Sequence, residues 1–175
     1  MLDEDIVQAA KQLFEICKRK NLLIGTAESC TAGLVAGMLT ELPGTSSILD
    51  RGFITYSNQA KHEMLGVSRE TLTTYGAVSK QVAEEMAKGV LGRAKVDLAV
   101  SVTGIAGPDG GSEEKPVGLV HFAVATRAGA IVHTEKRFGN IGRSDVRKLS
   151  VLQAFRMLHD AAEKLDAQPP RHAAY

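Results

Sequence analysis

Ser29 and Cys30 stand side by side in "GTAESCTAGLVAG", residues 25–37, between an apolar stretch and a run of small residues. A nucleophile placed where a strand turns into a helix has unpaired helix-start amides beside it, and those of Cys30, Thr31 or their neighbours can hold an oxyanion. A serine hydroxyl attacks only when a base takes its proton. The same position equally suits a plain helix cap by Ser29 or Thr31. Cys30 is the sharper nucleophile by type, yet no Cys–His arrangement supports it, and the G-x-S-x-G elbow is absent.

The second group is "TYSNQAK", residues 55–61. Tyr56 ends a strand pattern, and Lys61 falls one turn into the helix that follows, so both can reach one site above a sheet. A lysine whose pKa is lowered by burial can act as a general base, whereas a solvated lysine is ordinary surface. The S-x-x-K spacing of other serine–lysine hydrolases is absent. The third group is "TGIAGPDGGSEEKPVG", residues 103–118, a long glycine-rich connection of the kind that is usually functional or mobile. It is neither a Walker A element nor a dinucleotide fingerprint. Gly104 and Gly107 can still let backbone amides approach a phosphate, with the Thr103 hydroxyl nearby. Arg143 and Arg147, four apart at the start of the last helical pattern, share a face that can clamp a phosphate or carboxylate, or can be solvated surface charge. His62, His121, His133, His159 and His172 show no metal-ligand spacing, although His121 and His133 fall on neighbouring strands; no metal site is expected there.

The elements that must position these groups alternate. Helical periodicity covers 4–19, with Cys17 on its apolar stripe, then 31–40, 58–65, 79–91 and 144–165. Close packing on the sheet is the expected reason for Gly33 and Gly37 in the 31–40 helix. Strand patterns cover 22–27, 52–57 and the nearly all-apolar 96–102, and "RAG" joins a late antiparallel hairpin. Residues 69–79 read as a Thr-rich connection of β character. The pattern predicts a three-layer α/β/α sandwich with a mixed sheet, forming one domain over 1–165 with a flexible tail at 166–175.

Composition narrows the function classes. The chain has 175 residues, 44% hydrophobic and 23% charged, with 21 basic against 20 acidic side chains. That balance argues against a broad basic face for nucleic acid. Two cysteines without metal spacing suit a reducing compartment, and the opening Met-Leu-Asp-Glu-Asp is unlike a signal peptide. No apolar run approaches the ~20 residues of a membrane span. A cytoplasmic protein without nucleic-acid or membrane partners is expected, with the glycine-rich loop and hairpin available for a homo-oligomer interface.

Taken in order, "TAESCTAG", "GFITYSNQAK", "LGV", "YGAVS", "AVSVTGIAGPDGG", "KPVGLV" and "GRSDVR" resemble the CinA C-terminal domain family, whose enzymes are nicotinamide mononucleotide deamidases. The resemblance runs from about residue 5 to residue 163. It implies hydrolysis of nicotinamide mononucleotide to nicotinic acid mononucleotide and ammonia, in the pyridine nucleotide cycle, without metal or organic cofactor. It further implies Ser29 as nucleophile, Lys61 with Tyr56 as its activating partners, and Thr103 and Arg143 in the substrate site. Cys30, Thr31, Gly104, Gly107 and Arg147 are further substrate contacts expected from the residue reading. Two departures stand out. Ala32 replaces a glycine of the family's usual "ESCTGG", adding one methyl in what reads as a helix. Many members also carry a domain resembling molybdopterin-binding proteins, which is not read in this sequence, so its pyrophosphatase activity is not expected. The alternative is a non-enzymatic nucleotide-sensing or protein-binding module linked to competence or DNA damage, binding without turnover.

Overall fold

Five strands form one sheet in a computed structural model that describes residues 3–171. They are β1 (Ile24–Glu28), β2 (Leu49–Ile54), β3 (Leu98–Gly104), β4 (Leu119–Thr126) and β5 (Ile131–Arg137), in the order β2-β1-β3-β4-β5. β1 runs parallel to both its neighbours, while β4 and β5 are antiparallel. The carboxyl ends of three adjacent strands therefore open on one edge, with β1 in the middle.

Helices cover both faces, giving the three-layer α/β/α sandwich with a mixed sheet. Side-chain alternation along β3 sorts the two cores. Leu98, Val100 and Val102 join the core under α1 (Glu4–Lys20), α2 (Leu34–Leu39) and α6 (Arg143–Lys164), together with Leu13, Phe122 and Phe155. Ala99 faces the core made by α3 (Asn58–Leu65), α4 (Arg69–Tyr75) and α5 (Lys80–Arg93). On that second face the strands present small residues, Ala27, Ala99, Ala123 and Ala125, which lets helices approach closely. A Cβ added to Gly89 of α5 would lie 2.1 Å from the Leu65 carbonyl oxygen at the end of α3. Glycine there allows α3 to press against α5, and α3 is the helix that carries Lys61.

Several boundaries differ from expectation. The segment expected to be β-like at 69–79 contains α4. Its start is fixed by the Ser68 hydroxyl, which accepts from Thr71 N, and by Glu85, which accepts from Ser68 N and Thr71 Oγ1. Capping from a distant helix outweighs the modest strand preference of threonine. The helix expected at 31–40 begins only at Leu34, because Ala32 (φ 48°) and Gly33 (φ 96°) both adopt the left-handed conformation. Ala32 thus sits in a turn and not in a helix. Close packing does not explain Gly37, since an added Cβ there would meet nothing within 4 Å. The strands expected at 22–27 and 52–57 run at Ile24–Glu28 and Leu49–Ile54.

Ser57 and Ser79 cap α3 and α5 through their side chains. The glycine-rich connection is tethered, with hydrogen bonds from Ile105 N to Leu119 O, Gly118 N to Ile105 O and Arg143 to Gly107 O. Within the expected tail, Gln168 N donates to Lys20 O and Arg171 bonds to Asp97, while residues 172–175 lie outside the described residues. Among the described residues no helix is long and apolar enough to cross a membrane.

Candidate active site

The cleft forms where the parallel strands end. Ser29 follows β1, Thr55 and Tyr56 follow β2, and Thr103 and Gly104 close β3. The Ser29 amide donates to Val102 O, and the Thr55 amide donates to Glu28 O, so both flanking connections are laced to the central strand. The resulting cavity is about 260 Å³. Ser29, Cys30, Tyr56 and Lys61 line one side, the 103–110 segment lines another, and Arg143 reaches in from the start of α6.

Lys61 is 1% exposed and Ser29 8% exposed. The lysine Nζ donates to Ser29 Oγ at 2.9 Å and to Thr55 O at 2.8 Å. Removal of the ammonium from water lowers the lysine pKa from 10.5 to about 8. A hydroxyl and an amine of nearly neutral proton affinity, in direct contact, can exchange a proton at physiological pH. Cys30 beside them is pushed up to about 11 by burial, so it stays a thiol, as does Cys17, raised to about 12 for the same reason.

Tyr56 is 59% exposed, and its hydroxyl accepts from Arg143 Nη2 at 3.0 Å. The other Arg143 nitrogen donates to Gly107 O at 2.9 Å, so this arginine ties the glycine-rich segment to the connection after β2. The Thr103 hydroxyl donates to Ala77 O at 2.8 Å, which closes the cleft wall towards α5.

Two expected substrate contacts are placed elsewhere. Thr31 is fully buried and does not line the cleft; its hydroxyl has no partner among the described residues. Arg147 does not line the cleft either: its Nε donates to Cys30 O at 3.0 Å and its Nη2 to Thr31 O at 3.2 Å. The two arginines therefore do not form a joint clamp, since one helical turn separates a cleft residue from one bound to the Ser29 turn. His121 and His133 are neighbours, with Nδ1 and Nε2 2.9 Å apart, and burial lowers both pKa values. Among the described residues no third ligand atom joins that pair; the one grouping of three donors is His159, Asp160 and Glu163 on α6.

The residue that sequence reasoning missed is Glu28. It is buried, and its carboxyl accepts from the amides of Gly33, Val35 and Ala36 at 2.9–3.0 Å, and from Thr26 Oγ1 at 3.3 Å. Neither Ser29 nor Thr31 caps α2; Glu28 does so from the preceding strand. The legible signal was an acid placed just ahead of a helix start, where its charge complements the unpaired amides.

Residues 6–162 match the CinA C-terminal domain, and the chain belongs to that family. The nicotinamide-nucleotide amidohydrolase PncC of Escherichia coli (strain K12) is 47% identical over 158 residues, covering 90% of this chain and 95% of that protein. Other relatives are longer: the chain spans 37% of an Acetivibrio thermocellus protein to which it is 50% identical over 157 residues. The crystal structure of the competence/damage inducible protein CihA from Agrobacterium tumefaciens superposes with a TM-score of 0.91 at 51% identity, covering 94% of this chain and 99% of that one.

Proposed function

We propose that the chain hydrolyses the carboxamide of nicotinamide mononucleotide, releasing ammonia and nicotinic acid mononucleotide, with Ser29 as nucleophile. The single observation that carries this reading is the buried Lys61 amine 2.9 Å from Ser29 Oγ. Likeness to the PncC amidohydrolases supplies the substrate.

Neutral Lys61 takes the Ser29 proton as Oγ bonds to the amide carbon. The negative charge that develops on the carbonyl oxygen is met by the Cys30 amide, at the residue after the nucleophile. The protonated Lys61 then passes its proton to the leaving nitrogen, the C–N bond breaks, and ammonia departs. Water adds to the acyl-serine, again losing its proton to Lys61, and release of the acid returns the proton to Ser29 Oγ. Arg143 supplies positive charge and the Gly107 amide a hydrogen-bond donor for the nucleotide phosphate, and Tyr56 holds Arg143 in place. Ser29, Lys61, Tyr56, Arg143 and Gly107 all line the one cleft.

The test is ammonia release from nicotinamide mononucleotide by the purified chain and by Ser29→Ala. Turnover by the parent with none by the variant is the expected result. Equal rates from both would remove Ser29 as nucleophile, and a folded but silent parent would favour a binding module.

A further inference from the structure

We infer that Arg147 is a positioning residue for the hydrolytic step: it holds the turn after Ser29 so that the Cys30 amide faces the cleft, and it does not bind the substrate phosphate. This rests on the reading of Ser29 as nucleophile.

The argument starts from the peptide planes of the turn. In a trans peptide the C=O and the following N–H point in opposite directions, so fixing a carbonyl fixes the amide beyond it. Ser29 O accepts from Ala32 N at 3.1 Å, which sets the direction of the Cys30 amide. Arg147 acts on that amide through the next peptides: its Nη2 takes Thr31 O at 3.2 Å and so sets the Ala32 amide that bonds Ser29 O, while its Nε takes Cys30 O at 3.0 Å. Among the described residues the Cys30 amide donates to no other residue, its one protein neighbour being its own sulfur. Cys30 lines the same cleft as Ser29, whereas Thr31 is buried away from it, so the Cys30 amide is the donor beside the serine.

The turn does not hold itself in this shape. Ala32 lies at φ 48°, a conformation that costs an alanine free energy, so outside contacts must maintain it. They come from two directions. Glu28 draws on the amides of Gly33, Val35 and Ala36 at the helix side. Arg147 draws on the carbonyls of Cys30 and Thr31 from the side of α6. The turn is gripped by an anion on its donors and by a cation on its acceptors.

The chemistry of the grip requires a guanidinium. Two carbonyls of adjacent residues are engaged by Nε and Nη2 of one planar group, a fork that a lysine ammonium does not reproduce. Arg147 also places a positive charge close behind the turn, which favours negative charge arising at the Cys30 amide.

The experiment is steady-state kinetics of the full chain on nicotinamide mononucleotide and on the corresponding riboside without phosphate, for the parent, Arg147→Lys, Arg147→Ala and Ser29→Ala. Expected for both arginine variants is a fall in kcat of about 100-fold, the size of losing one oxyanion donor, with KM within about threefold. The loss should be equal on both substrates, and millimolar guanidinium should restore part of the Arg147→Ala rate. If Arg147→Ala does not fold, Arg147→Lys, which keeps the stem and the charge, decides alone. A raised KM at unchanged kcat, or a loss confined to the phosphorylated substrate, would make Arg147 a phosphate ligand and overturn the inference. Parent-like kinetics would overturn it as well. Retained turnover by Ser29→Ala would instead sink the underlying reading of the nucleophile.

Discussion

Lys61 Nζ lies 2.9 Å from Ser29 Oγ although the two residues are 32 positions apart and stand on different connections of the sheet. The lysine reaches the serine because α3 presses against α5 at Gly89, and its burial there is what lowers its proton affinity.

A pH profile follows from that burial. In the proposed mechanism the neutral amine is the active form, so kcat/KM should rise with pH, with a slope of one, and level off above about 8. Lys61→Met should lose roughly 10²–10⁴-fold in kcat and lose the ionisation from the profile. Initial rates between pH 6 and 10 check this; a parent profile flat across that range would remove Lys61 as the base.

Stability should carry the same signature. The folded-state pKa is about 8 against 10.5 for the free side chain, so between these values the unfolded chain binds the extra proton. Stability therefore rises with pH across that window, and the contribution is absent below it. Allowing for solvent screening, the parent should gain about 2 kcal/mol relative to Lys61→Met between pH 7 and pH 10.5. Urea melts of both proteins at the two pH values measure it; parallel behaviour would contradict a desolvated lysine.

The turn after Ser29 offers a second stability test. Ala32→Gly should stabilise the fold by about 1 kcal/mol, because glycine adopts the left-handed conformation at no steric cost and the Ala32 side chain is exposed. Gly37→Ala should also stabilise by up to about 1 kcal/mol, since it lies inside α2 and its Cβ meets open space. Thermal melts of each variant decide, and a lowered Tm for Ala32→Gly would mean that the turn differs from the one described.

Tyr56 separates two roles. Its hydroxyl bonds to Arg143 and has no bond to Ser29 or Lys61 among the described residues. Tyr56→Phe should therefore raise KM roughly tenfold with kcat within about threefold, consistent with a lost hydrogen bond from a charged donor of about 1.5 kcal/mol. A 100-fold fall in kcat at constant KM would restore the tyrosine to proton transfer.

Much of this arrangement was legible because local signals and topology agreed. Apolar runs ending in polar or glycine-rich segments marked where β1, β2 and β3 stop, and parallel order brought Ser29, Tyr56, Lys61, Thr103 and Arg143 to one edge. What escaped was set by contacts distant in sequence. Residues 69–75 carry threonines that read as strand, but Glu85 and Ser68 organise them into α4. Arg143 and Arg147 share a helix face in sequence, yet the depth of α6 against the Ser29 turn sends the second to the backbone and not to the cleft. Glu28 was overlooked because its three amide partners precede or open a helix whose start was placed three residues too early.

The grip of Arg147 on Cys30 spans 117 positions of the chain. At about 5–20 residues per second of synthesis, several seconds separate the emergence of Ser29 from that of its last anchor. A nascent or prematurely terminated polypeptide ending before α6 would hold the serine and the lysine but lack the brace behind the turn. On the proposed reading of Ser29, its turn is braced only once α6 has been made.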